Sequence, residues 1–224
     1  MRLVLGLGNP GPRYADTRHN VGFRCVEAVA RRLGLTFQQP LPRYREAVGE
    51  GPDGPVALLQ PLTYMNRSGE AARVWARQHG AALGPGAWQP DPLPLPDDPR
   101  VDPAPWVVPV VVCDDIHLPL GSVRIRAGGS DGGQNGLASV IAAVGGDQVP
   151  RLRLGVGPHD RPVAPADWAD HVLAPFTADE AAAVGDLVAR GADALLALLA
   201  DGPQAAGSRH NRRVRPTRDL PASD

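Results

Sequence analysis

Four stretches set amide, imidazole and carboxylate side chains beside turns. Gly6-Leu7-Gly8-Asn9-Pro10-Gly11 is followed by Tyr14 and by Thr17-Arg18-His19-Asn20. Pro61-Leu62-Thr63-Tyr64-Met65-Asn66-Arg67-Ser68-Gly69 forms the second stretch, and Cys113-Asp114-Asp115-Ile116-His117-Leu118-Pro119 the third. The fourth is Gly128-Gly129-Ser130-Asp131-Gly132-Gly133-Gln134-Asn135-Gly136. A neutral imidazole steadied by a carboxylate can take a proton from water, and side-chain amides can hydrogen-bond a carbonyl oxygen as charge builds on it. Together these groups suggest hydrolysis without a metal. Taken singly, each has a plainer explanation. Asn9 reads as a turn residue, His19 as a cap or surface histidine, and Asn66 or Ser68 as an N-cap worth about 1 kcal/mol. Asp114 reads as a loop acid, and the glycines as flexible filler.

Other chemistries fit poorly. Gly6, Gly8 and Gly11 match the spacing of a dinucleotide-binding loop, but that site also needs a helix starting inside the loop and an acid about 20 residues later. Pro10 and Pro12 favour a turn, and residues 28–42 contain no carboxylate. The chain has no lysine, which removes the usual P-loop phosphate contact and Schiff-base chemistry. No nucleophile elbow is read and no H-E-x-x-H pair appears, so serine and zinc hydrolases gain no support.

Such groups need a scaffold of strands and helices to hold them. Residues 2–7 read as a buried first strand, and a helix is expected from Thr17 or Asn20, with Val21, Val26, Val29, Ala30 and Leu33 on one stripe and Gly34 as its stop. Residues 45–50 and 56–59 flank a Gly-Pro-Asp-Gly hairpin signal, and a second helix runs from about Asn66 to His79. A very apolar strand over 110–113 ends at Asp114 and Asp115, and residues 122–126 alternate as a strand with Arg124 and Arg126 on one face. A helix over 137–144, a strand over 151–156 and a long Ala/Leu-rich helix within 177–199, interrupted at a glycine, complete the pattern. This order predicts an α/β layer architecture with a mainly parallel or mixed sheet, whose ligand groups gather at strand ends.

The chain of 224 residues fits one domain. Its net charge of −1 gives no overall attraction to nucleic acid, so the placement of its 23 basic residues, all arginine, matters more than their number. The arginine, alanine, proline and glycine excess reads as a genomic base-composition bias. Cys25 and Cys113 lie far apart and outside any C-x-x-C pair, so both are expected to be buried apolar positions. Residues 84–105, dense in proline and aspartate, read as a passive surface insertion, with a proline-recognition partner as the alternative. Residues 209–224 read as a basic tail beyond a domain spanning 1–208. The apolar run at 3–7 is too short for a signal peptide, and no stretch is long enough for a membrane span, so a soluble, cytoplasmic protein with no membrane partner is expected.

In this order, GLGNPG with Tyr14 and TRHN, then PLTYMNRSG, DDIHLPLGSVRIRAGGSDGGQNG and RLRLGVG strongly resemble the bacterial-type peptidyl-tRNA hydrolases. The resemblance covers nearly all of the chain except the insertion and the tail. It implies a single three-layer α/β/α domain, acting as a monomer on peptidyl-tRNA, at the ester between peptide and tRNA, with no metal or organic cofactor, so that tRNA is recycled. Carried over residue by residue, it makes His19 the general base and Asp114 the acid that orients it. Asn9, Asn66 and Asn135 become contacts to the reacting end and peptide backbone, with Tyr14 and Met65 shaping the pocket. Arg124, Arg126 and Arg153 stand where the family presents basic groups to tRNA phosphates. Gln134 stands where the family's GGHNG block has histidine, so the accessory role of that imidazole lacks its usual group. Two alternatives stay open at this stage: a catalytically weak RNA-binding or splicing-associated homologue of the same fold, and a proline-rich interaction scaffold. The presence of His19 and Asp114 favours the enzyme.

Overall fold

The computed structural model describes residues 1–84, 106–158 and 162–211. Apart from Gly84 and residues 209–211, the expected insertion and tail lie outside the described residues. In chain order the elements are β1 (Arg2–Gly6), α1 (Val21–Arg32), β2 (Tyr44–Gly51), β3 (Gly54–Pro61), α2 (Ser68–Gln78), β4 (Ala82–Leu83) and β5 (Trp106–Val107). There follow β6 (Val110–Pro119), β7 (Val123–Arg126), α3 (Asn135–Val144), β8 (Arg151–Gly157), α4 (Trp168–Leu173) and α5 (Ala181–His210).

Six strands form one sheet in the order β2-β3-β1-β6-β8-β7. The four central strands are parallel, while β2 and β7 pair antiparallel at the two edges. Strand alternation divides the core between the two faces. On β1 and β6, Val4, Val110 and Val112 pack with α1 and α5, whereas Leu3, Leu5, Val111 and Cys113 pack with α2 and α3. Central strands buried on both sides must be apolar throughout, which is why 110–113 has no polar position. The result is the expected three-layer α/β/α arrangement. Both cysteines are buried and unpaired, and burial pushes the Cys25 thiol up to about 12. No helix among the described residues is long and apolar enough to cross a membrane.

Of the two expected starts of the first helix, Asn20 holds: it is the N-cap of α1, which begins at Val21 after a single 3-10 turn over Arg18–Asn20. Thr17 makes no capping bond there, because its hydroxyl donates back to the Tyr14 carbonyl at 2.8 Å. At the other end, α5 continues through His210, past the expected limits of both helix and domain. Its interruption falls at Gly202, whose φ of 80° and ψ of 170° leave the helical region just before Pro203. The helix resumes because Ala206 is fully buried in the core and holds the last turns against it.

Candidate active site

The C-terminal ends of β1, β3 and β6 meet the first turns of α1, α2 and α3, where open parallel sheets form their ligand crevice. Asn9 lies on the loop after β1, and His19 on the 3-10 turn before α1. Met65 and Asn66 occupy the 3-10 turn between β3 and α2, Asp114 lies on β6, and Gln134 and Asn135 open α3. All of them, with Tyr14 and Arg153, line one cleft of about 430 Å³. Residues from five separate stretches of sequence thus share a single site.

His19 Nδ1 lies 2.9 Å from Asp114 Oδ2. A carboxylate accepts only, so Nδ1 carries the proton of the neutral ring and Nε2 remains as the acceptor. Asp114 is 3 % exposed, and the His19 side chain 12 %. Burial disfavours the charged imidazole, but the charge of Asp114 and its hydrogen bond together outweigh burial and raise the His19 pKa above its ordinary 6.5. The second carboxylate oxygen, Asp114 Oδ1, accepts a hydrogen bond from Gln134 Nε2 at 2.8 Å. Asp114 is therefore held from two sides.

Asn9 is locked in place. Its backbone N–H donates to Asn20 Oδ1 at 2.8 Å, and Asn20 Nδ2 donates to the Asn9 carbonyl at 3.0 Å. The Asn9 side-chain oxygen accepts from the Met65 N–H at 2.9 Å, which ties β1's loop to β3's turn and assigns the other amide atom as nitrogen. The turn carrying His19 is anchored equally firmly. Arg18 donates to the Pro175 carbonyl and to Glu180 Oε2, both at 2.7 Å, joining that turn to the segment between α4 and α5.

Arg153 pairs with the buried Asp115, Nε to Oδ2, at 2.9 Å. Across the β7/β8 ladder, Arg124 faces Arg153 and Arg126 faces Arg151, so all four side chains share one sheet face. Arg124 and Arg126 do not line the cleft; they continue away from it along the edge strand. Arg151 serves the fold instead. It is 2 % exposed and donates to the Gly129, Ser130 and Asp147 carbonyls, pinning the glycine-rich loop.

Other sequence expectations need correction. Neither Asn66 nor Ser68 caps α2: the N-cap position is Arg67, Asn66 is exposed at the cleft, and the Ser68 hydroxyl donates to the Met65 carbonyl at 2.8 Å. Gly128-Gly129-Ser130-Asp131-Gly132 does carry the Gly-x-Ser-x-Gly spacing that the sequence reading passes over. Ser130 nevertheless lies outside the cleft, and α3 starts only at Asn135, so there is no sharp strand-to-helix elbow. Asn20, Asp115 and Arg151 were visible within quoted motifs, but their roles depend on partners remote in sequence. Among the described residues, no three His, Cys, Asp or Glu side chains form a group able to hold a metal ion.

The profile of the family described as peptidyl-tRNA hydrolase matches residues 3–83 and 105–218. A peptidyl-tRNA hydrolase of Chloroflexus aurantiacus is 40% identical over 211 residues, covering 94% of this chain and 99% of its own. One from Chlorobaculum tepidum is 36% identical over 214 residues, covering 96% and 100%. Among solved structures, peptidyl-tRNA hydrolase from Acinetobacter baumannii superposes with a TM-score of 0.74 at 28% identity, covering 95% of each chain.

Proposed function

The chain belongs to the peptidyl-tRNA hydrolase family and hydrolyses the ester between peptide and tRNA; from that premise we propose that His19 is its general base and Asp114 the residue that orients it. The observation that carries this reading is the 2.9 Å contact between His19 Nδ1 and Asp114 Oδ2 at the cleft. His19 Nε2 takes a proton from water as the oxygen attacks the ester carbonyl. The imidazolium, steadied by Asp114, then returns the proton to the leaving ribose oxygen as the ester C–O bond breaks. Base catalysis of this kind contributes roughly 10² to 10⁴ in rate.

The Asn9 amide nitrogen has no hydrogen-bond partner among the described residues, and its oxygen is already committed to Met65, which makes it the preorganised donor for the developing oxyanion. A donor so placed contributes about 2.7 to 4 kcal/mol. Asn66 and Asn135 contact the peptide backbone, Tyr14 and Met65 shape the pocket, and Arg124, Arg126 and Arg153 receive tRNA phosphates. The enzyme works as a cytoplasmic monomer without a metal or organic cofactor. The test is release of an N-blocked aminoacyl group from tRNA by chelator-treated protein. Release that spares unblocked aminoacyl-tRNA is expected; tRNA binding without release would overturn the assignment.

A further inference from the structure

Gln134 makes an uncommon double use of one amide. Its Oε1 accepts from the Leu137 N–H at 2.9 Å, capping α3, while its Nε2 donates to Asp114 Oδ1 at 2.8 Å. Nε2 also lies 3.4 Å from Met65 Sδ, in a site where Asp114 is 3 % exposed. Since Asp114 Oδ2 already faces His19, the two oxygens of this carboxylate have separate partners on separate elements. We propose that Gln134 is a positioning residue for the reaction: from the end of α3 it clamps the free oxygen of Asp114, so that the carboxylate cannot turn away from His19. This inference rests on the reading of His19 as the base.

The physical reason is rotational freedom. A carboxylate hydrogen-bonded through one oxygen can still pivot about its side-chain torsions, and the imidazole it orients pivots with it. Anchoring both oxygens fixes its plane, and α3 supplies a rigid support because the same amide is tied to the helix's first turn. An amide does not titrate, so the clamp persists through the pH range in which His19 changes charge. A histidine at this position has to be neutral to do the same work, with one ring nitrogen accepting from Leu137 and the other donating to Asp114.

The decisive variant is Gln134→Glu. Glutamate keeps an acceptor for the Leu137 N–H and suits a helix N-terminus, but it has no donor for Asp114 and sets a second acid against it. The expected result near pH 8 is a folded protein with a somewhat lower Tm from the facing carboxylates, KM within about threefold, and kcat lower by roughly 10- to 100-fold, as for a small misplacement of catalytic groups. Gln134→His, whose ring can also donate to Asp114, should keep kcat within a few-fold of the original near pH 8, where the imidazole is neutral. A residue needed only to cap α3 gives the opposite pattern for Gln134→Glu, with full kcat. His19→Ala runs in the same assay on N-blocked aminoacyl-tRNA. Undiminished hydrolysis by His19→Ala would overturn the reading of the base and this inference with it. Loss of hydrolysis in His19→Ala alongside full kcat in folded Gln134→Glu would overturn the inference alone.

Discussion

As the proposed base, His19 is useful only when neutral, yet its surroundings favour the proton. Burial lowers its pKa, and the Asp114 charge and hydrogen bond raise it by more, so the folded value lies above 6.5. Two consequences follow with opposite signs. The fraction of active base falls as pH drops through that raised value, whereas the His19–Asp114 attraction adds stability that is complete below the unfolded pKa and is lost as pH rises through the folded one. Asp114→Asn removes both raising causes and leaves burial, so the acid limb of the kcat profile should move to lower pH while kcat falls by about 10² to 10⁴. Paired pH–rate profiles check this; an acid limb that stays put means that Asp114 does not set the protonation of the ring. His19 and Asp114 stood out as candidates because their motifs are local, and the structure brings the two side chains together. The locking of Asn9 by Asn20, and of Arg153 by Asp115, was not, since each depends on a partner delivered by the fold across 11 residues or more.

At the scale of elements, the His19 turn is held by close packing of helix on sheet. A Cβ at Gly22, the second residue of α1, would lie 2.5 Å from both the Leu7 and Val112 carbonyl oxygens. Only glycine lets α1 start this close to the ends of β1 and β6. Gly22→Ala should therefore cost roughly 1–3 kcal/mol by overpacking and lower kcat by displacing the turn before it. Denaturant unfolding and steady-state rates on the same preparation measure both effects. A change in stability below about 0.5 kcal/mol would mean that α1 yields freely. Strand and helix order could be read from periodicity, which follows directly from which faces are buried. Helix ends were less legible: the 3-10 turn Arg18–Asn20 leaves Thr17 and Asn20 alike as starts, and α5 runs past the expected limit of 199 because Ala206 draws the chain back to the core beyond Gly202-Pro203.

Across the whole molecule, the net charge of −1 conceals an uneven distribution. Arg153 at the cleft and Arg124 opposite it begin a basic face that Arg126 extends along the sheet edge. Contact with tRNA through these groups releases counterions, so affinity should fall with salt. Arg124→Ala should raise KM a few-fold at unchanged kcat and reduce the slope of log affinity against log salt by about 0.7 to 0.9. An unaltered slope would remove Arg124 from the tRNA surface. The alternation of Arg124 and Arg126 was legible in the strand pattern. The division of labour on β8 was not, because Arg151 and Arg153 look alike in sequence, and only the fold turns one to the glycine-rich loop and the other to the cleft. The proposed chemistry converges on one side chain. Single-turnover hydrolysis of N-blocked aminoacyl-tRNA by His19→Ala, with tRNA affinity measured on the same protein, tests it most directly. A rate lower by at least about 10² at near-normal affinity is the expected result; a rate equal to that of the unaltered enzyme would contradict the role of His19 as the base.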